Sequence, residues 1–116
     1  MIAVLILLLQ GAESTNISHT IEGTVLRISG TGEMSNYTEK EPPWTGFYDM
    51  ETVVLENEIT SVGERAFTGC GSLVTVSLGT GVASIGKFAF AFCPRLTTVQ
   101  ILRSSGVWLG YGSLSY

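Results

Sequence analysis

ETVVLENEITSVGERAFTGCGSL (residues 51–73) and VTVSLGTGVASIGKFAFAFCPRL (residues 74–96) are two versions of one pattern, offset by 23 positions. Val53 falls on Val76, Leu55 on Leu78, Ile59 on Val82 and Val62 on Ile85. The match continues through Gly63 with Gly86, Ala66 with Ala89, Phe67 with Phe90, Cys70 with Cys93 and Leu73 with Leu96. Thr98, Val99 and Ile101 then start the unit a third time, where Thr75, Val76 and Leu78 stood. Apolar, glycine and cysteine positions recur while polar ones drift. That is the mark of a solenoid, in which each unit is one coil stacked on its neighbour.

The unit can be read residue by residue. Strand alternation puts Val53 and Leu55 on one face, so stacking aligns them with Val76 and Leu78, then with Val99 and Ile101, in parallel strands about 4.8 Å apart. The alternate set, Thr52, Val54, Thr75, Ser77, Thr98 and Gln100, points outward as a mostly uncharged sheet surface and is the candidate binding face. Ile59 and Val62, with Val82 and Ile85, make a short extended return. Gly63 and Gly86 mark a bend that a side chain would obstruct. Ala66-Phe67 and Ala89-Phe90 follow on a brief helical turn, with both phenylalanines directed to the centre of the coil.

Outward from the repeat, the two ends read differently. Residues 17–29 form short β-rich segments on either side of Glu22-Gly23, a β-hairpin with Ile21, Leu26 and Ile28 on one face and Arg27 and Ser29 on the other. Gly30-Thr31-Gly32 is read as the end of that strand. Met34 and Tyr37 anchor a loop that runs to Pro42-Pro43-Trp44, and Trp44, Phe47 and Tyr48 are expected to close over the first coil as a lid. Residues 2–9 are an unbroken apolar run, too short to span a bilayer, followed by Ala12-Glu13-Ser14. This reads as a secretory signal peptide, the alternative being a buried first strand. The expected organisation is a signal peptide over 1–14, hairpin and capping loop over 15–50, solenoid over 51–103 and a degenerate tail over 104–116.

Residues 23–34 (GTVLRISGTGEM), then Tyr37 and Pro43-Trp44, resemble the N-terminal segment that precedes the repeats of BspA-like leucine-rich-repeat surface proteins. Thr60-Ser61-Val62-Gly63, Ala66-Phe67 and Cys70, with Ser84-Ile85-Gly86, Ala89-Phe90 and Cys93, are similar to that family's repeat core. Its repeats usually carry proline just after the strand, where this chain has Glu56 and Gly79. The resemblance implies a leucine-rich-repeat-like solenoid, β-rich with short helical turns. It also implies a secreted or cell-surface protein engaged in adhesion or host interaction.

Composition narrows the function classes. The chain has 116 residues, 45% hydrophobic and 14% charged, enough apolar content for one small core. Its net charge is −4, and Arg27, Lys40, Arg65, Lys87, Arg95 and Arg103 are scattered singly, so nucleic acid is not an expected partner. No transmembrane span is expected. His19 is the single histidine and reads as a strand surface residue. Glu56 and Glu58 lie at a loop edge without an enclosing cleft, so no catalytic residue, metal or cofactor is assigned. Cys70 and Cys93 admit a ladder of free thiols, a disulfide or, least of all, a metal site, since no histidine is near. Asn16-Ile17-Ser18 and Asn36-Tyr37-Thr38 are N-glycosylation sequons.

Two functions follow. One is a secreted or surface-displayed binding module whose strand face contacts a protein, of the host or of the extracellular matrix. The other is a structural or accessory repeat module, a fragment of a longer surface protein or enzyme. The third coil reads as half built: 23 residues beyond Ile85 lies Trp108, and no Ala-Phe pair follows. Val107, Trp108, Leu109 and Tyr111 are expected to fold back near Phe92 as an improvised cap. The rival expectation is a loose tail with self-association through the open C-terminal edge.

Overall fold

The computed structural model describes residues 16–114, so the signal-peptide reading of 1–14 lies outside the described residues. A hairpin of β1 (Asn16–Glu22) and β2 (Val25–Glu33) opens the fold. Then come β3 (Thr52–Leu55), β4 (Ile59–Val62), β5 (Thr75–Leu78), β6 (Ser84–Ile85), β7 (Thr98–Ile101) and β8 (Trp108–Leu109). β2, β3, β5 and β7 pair in parallel as one ladder, and β2, β4, β6 and β8 as the other. The hairpin caps a parallel-strand solenoid, as the repeat requires.

The 23-residue period is the register itself. Thr52, Thr75 and Thr98 stand in one row, and Val53, Val76 and Val99 in the next. Inward rows Leu26–Val53–Val76 and Ile28–Leu55–Leu78 are buried, and Ile59 and Val62 of β4, Val82 before β6 and Ile85 in it close on them from across the coil. Between the ladders Trp44, Phe67 and Phe90 stack face to face. Successive ring centroids are 5.2 Å apart, with planes 12° and 5° from parallel. Trp44 Nε1 donates to Ala66 O at 2.8 Å, so the loop before the first repeat supplies a ring to the column and ties it down.

Glycines set how closely coils approach. A Cβ on Gly86 would lie 2.6 Å from Glu64 N, one on Gly110 would lie 2.8 Å from Lys87 N, and one on Gly63 would overlap Ser35 O. Gly79 is under the same constraint. A Cβ there would meet the Asn57 side chain and backbone at 2.7 and 2.8 Å.

Several expectations are corrected. Gly30-Thr31-Gly32 does not end the second strand. With φ of +115° at Gly30 and +92° at Gly32, and a register shift at Gly32/Glu33, β2 bends and passes from the first ladder to the second. Ile21 is 48% exposed, because it sits on the outer strand of the hairpin rather than over the core. Trp44 is buried and Phe47 half-buried, but Tyr48 is 83% exposed: a tight turn, in which Tyr48 N donates to Gly46 O, swings it outward. The short helical turns are single turns with three-residue hydrogen bonds, Ala66 N to Gly63 O and Ala89 N to Gly86 O. Each is followed by a further turn, Thr68 N to Arg65 O and Ala91 N to Phe88 O, and the φ of +59° at Arg65 and +56° at Phe88 keeps the two from joining into a helix.

The C-terminal segment does not fold back. β8 pairs in parallel with β6, placing Leu109 rather than Trp108 opposite Ile85. One extra residue has entered after Ile101. Gly110 then lies against Gly86, Phe88 N donates to Tyr111 O, and Phe90 N to Ser113 O. Ser113-Leu114 therefore continues the coil where the earlier units have Ala-Phe. Val107 packs on the core, whereas Trp108, Leu109 and Tyr111 remain 62%, 49% and 78% exposed.

Phe67 is sandwiched between two rings, and Phe90 is stacked on Phe67. Phe67→Ala should cost about 3–5 kcal/mol and lower the melting temperature by more than Phe90→Ala does, measured by circular dichroism. An unchanged midpoint would remove the ring column from its central role.

Candidate functional site

Strand register assembles the outward face. Because β3, β5 and β7 share one register, Thr52, Thr75 and Thr98 form one row and Val54, Ser77 and Gln100 a second. Thr98 and Gln100 are exposed and the other four are half-buried. All six predicted residues are thus brought together, as two rows of mainly hydroxyl and amide groups at the spacing of neighbouring strands.

β2 extends both rows. Val25 pairs with Thr52 and Arg27 with Val54, so the face begins with a charged position. Arg27 lies 3.9 Å from Glu56, and both side chains are close to half exposed, a rim ion pair of small energetic weight. Strand alternation places Arg27 on the outer side of its hairpin, and only the pairing with β3 brings it onto this face. The offset from β2 to β3 is 27 residues, so the repeat period carries no signal for it. Glu56, Asn57 and Glu58 line a broad hollow at the ends of these strands, together with Arg27, Val54 and Ser77. Asn57 Oδ1 accepts from Thr80 N at 3.0 Å, so that residue holds the next coil.

A second set of groups surrounds Trp44. His19 and Tyr37 meet its ring edge-on at 5.9 and 5.7 Å, so His19 is half-buried against an aromatic rather than free on a strand surface. Burial raises the Tyr37 phenol above its ordinary pKa. Hollows of about 260 and 400 Å³ flank this ring, sharing Tyr37, Lys40, Glu41 and Trp44.

Cys70 is half-buried, Cys93 is buried, and both are free thiols. Cys93 Sγ donates to Phe67 O at 3.1 Å. The two thiols are neighbours whose protonation is linked. The Cys93 thiol as hydrogen-bonding neighbour, with burial after it, pushes Cys70 well above the usual thiol range, while the Cys70 neighbour lowers Cys93. Among the described residues no group of three or more His, Cys, Asp or Glu side chains could hold a metal ion. Of the sequon residues, Asn16 opens β1, and Asn36 Oδ1 accepts from Glu64 N at 2.9 Å; both are exposed.

A family model for the BspA type leucine rich repeat region matches residues 45–110. Among solved structures, a leucine-rich repeat protein from Eubacterium ventriosum superposes with a TM-score of 0.74 at 32% sequence identity. The match covers 86% of this chain and 27% of that one, so the chain spans about a quarter of that protein. No curated protein matches the sequence. Among the described residues no helix is long and apolar enough to cross a membrane.

Denatured but unreduced protein should show two titratable thiols. In the native state, alkylation at pH 8 should be slower than that of free cysteine, because the raised pKa of Cys70 keeps thiolate scarce and Cys93 is buried. Fast native alkylation would mean that the thiol pair is not closed as described.

Proposed function

The chain belongs to the BspA-type leucine-rich-repeat family, and from that premise we propose that it is a protein-binding module, secreted or displayed at the cell surface. The supporting observation is the strand face. Thr52, Thr75 and Thr98, beside Val54, Ser77 and Gln100, present a regular, nearly uncharged surface on consecutive coils, held by the backbone ladder rather than by side-chain packing. Such a face can change residue by residue without disturbing the core, which is what a repeat scaffold offers a macromolecular partner. The partner class proposed is a host or extracellular-matrix protein, and on this reading the module binds without catalysing a reaction. Exposed Asn16 and Asn36 suit a chain that is glycosylated during export.

A second reading is favoured by the length comparison. A chain spanning 27% of a solved repeat protein has the size of one segment in a longer array, where it would space other parts and bind nothing itself. The outer edges of β7 and β8 have no strand partner among the described residues. Pairing of that edge with a second copy is the form that self-association would take.

Pull-down against extracellular-matrix proteins and host-cell surfaces separates the two readings. Replacing Thr75 and Ser77 together by Lys should lower affinity at least tenfold while the circular dichroism melt stays within a few degrees. Full affinity in the double variant would place the contact elsewhere, and no retained protein at all would favour the spacer.

A further inference from the structure

The loop that carries Trp44 and the turn of the first coil enclose the smaller of the two hollows, about 260 Å³, and no residue of the hairpin lines it. Trp44 is buried and donates to Ala66 O, which fixes the loop to the turn and forms the hollow in advance of any ligand. Phe47 is half-buried in its wall. Tyr48 also lines it yet is 83% exposed, so it stands at the rim as a ring that a ligand can cover.

Much of the backbone around the hollow is already engaged. The N–H groups of Thr45, Phe47, Tyr48 and Met50 donate within the loop, that of Thr68 to Arg65 O and that of Gly69 to Ala91 O. A phosphate is held by converging backbone N–H groups, and an extended peptide by pairing along a strand edge. With these donors engaged in turns, recognition falls to side chains.

Those side chains carry both signs of charge and several hydroxyls. Glu41 lines the hollow with Lys40 and Arg65, and Thr45, Thr68 and Ser72 add hydroxyl groups. The Arg65 guanidinium lies over the Phe88 ring at 4.8 Å, a contact that steadies it. Thr68 Oγ1 donates to Phe88 O, so toward a ligand it accepts. Walls of mixed sign select neither a cation nor an anion. Carboxylate, guanidinium and hydroxyl groups beside aromatic rings match a neutral polyol, whose C–H face covers a ring while its hydroxyls take the hydrogen bonds. The volume lies below the roughly 300–1,000 Å³ of sites for drug-sized ligands, so it suits a single sugar ring.

We propose that this hollow binds the neutral terminal sugar of a glycan, with Tyr48 against the C–H face of the ring and with Glu41 accepting from, and Arg65 donating to, its hydroxyls. No residue of the strand face lines it, so the site does not depend on what that face binds. The test titrates the chain with methyl glycosides of galactose, glucose, mannose and N-acetylglucosamine, and with choline and glucuronate as charged controls. Tryptophan fluorescence reads binding, since Trp44 lines the hollow and Trp108 lies in β8 at the opposite end of the stack. At least one neutral glycoside should bind saturably. Tyr48→Ala should weaken it about tenfold and Glu41→Gln about fivefold, while the Thr75→Lys/Ser77→Lys double variant leaves it unchanged. Tyr48 and Glu41 are both exposed, so each variant should melt within about 2 °C of the parent. Should Tyr48→Ala melt lower than that, Glu41→Gln decides alone by the same fivefold criterion. Binding of no neutral glycoside would reject the site and leave the strand face to its own pull-down. Affinity retained in Glu41→Gln and in folded Tyr48→Ala would place the sugar elsewhere. Tyr48-dependent preference for choline or glucuronate would overturn the choice of a neutral ligand.

Discussion

Rings stacked 5.2 Å apart along the axis, Trp44 on Phe67 on Phe90, are the contact around which each coil must close. Strands in a parallel ladder repeat at about 4.8 Å, so a ring column and a backbone ladder of nearly equal pitch can share one axis only if each unit returns its phenylalanine to the same place. That condition sets the length of the unit. It also explains the small neighbours: Ala66 and Ala89 leave room beside the rings, and Gly63, Gly86 and Gly110 let successive bends come into backbone contact. A column of glycines is costly in chain entropy, and it is kept where a Cβ would force the coils apart.

The start of the column is supplied by a residue outside the repeat. Trp44 comes from the proline-bearing loop, yet it stacks on Phe67 like a repeat residue and is held by its own hydrogen bond to Ala66 O. His19 of the hairpin and Tyr37 of the loop then cover its edges. The N-terminal region is thus a modified coil in substance. β2 contributes to both ladders by bending at Gly30 and Gly32, so one strand begins both sides of the solenoid.

With the interior so constrained, variation is pushed to the outside, where function can reside. The strand face varies as Thr, Thr, Thr and Val, Ser, Gln while its register stays constant. The turns vary more sharply, with Arg65 against Phe88 and Gly69 against Phe92 at equivalent points of one backbone path. Cys70 and Cys93 show the opposite behaviour. They are repeated because they face inward, Cys93 in the core and Cys70 packed against it, with the Cys93 thiol donating to Phe67 O.

The sequence by itself determined the 23-residue coil, the inward rows, the two central phenylalanines, the hairpin and the six outward positions. All of these follow from periodicity, which is a local property repeated in order. Only the tertiary structure decided what periodicity does not encode. Arg27 joins the outward face through a pairing offset by 27 residues, and Leu109 displaces Trp108 opposite Ile85 because a single inserted residue shifts the register. Glycines at 30 and 32 look like a strand end in sequence but act as a bend, since the choice depends on whether a second ladder waits to receive the strand. Tyr48 reads as part of a lid packed on the first coil, and the turn at Gly46 swings it outward. Hydrophobicity states which residues gain from burial, but the path of the backbone decides which of them reach it.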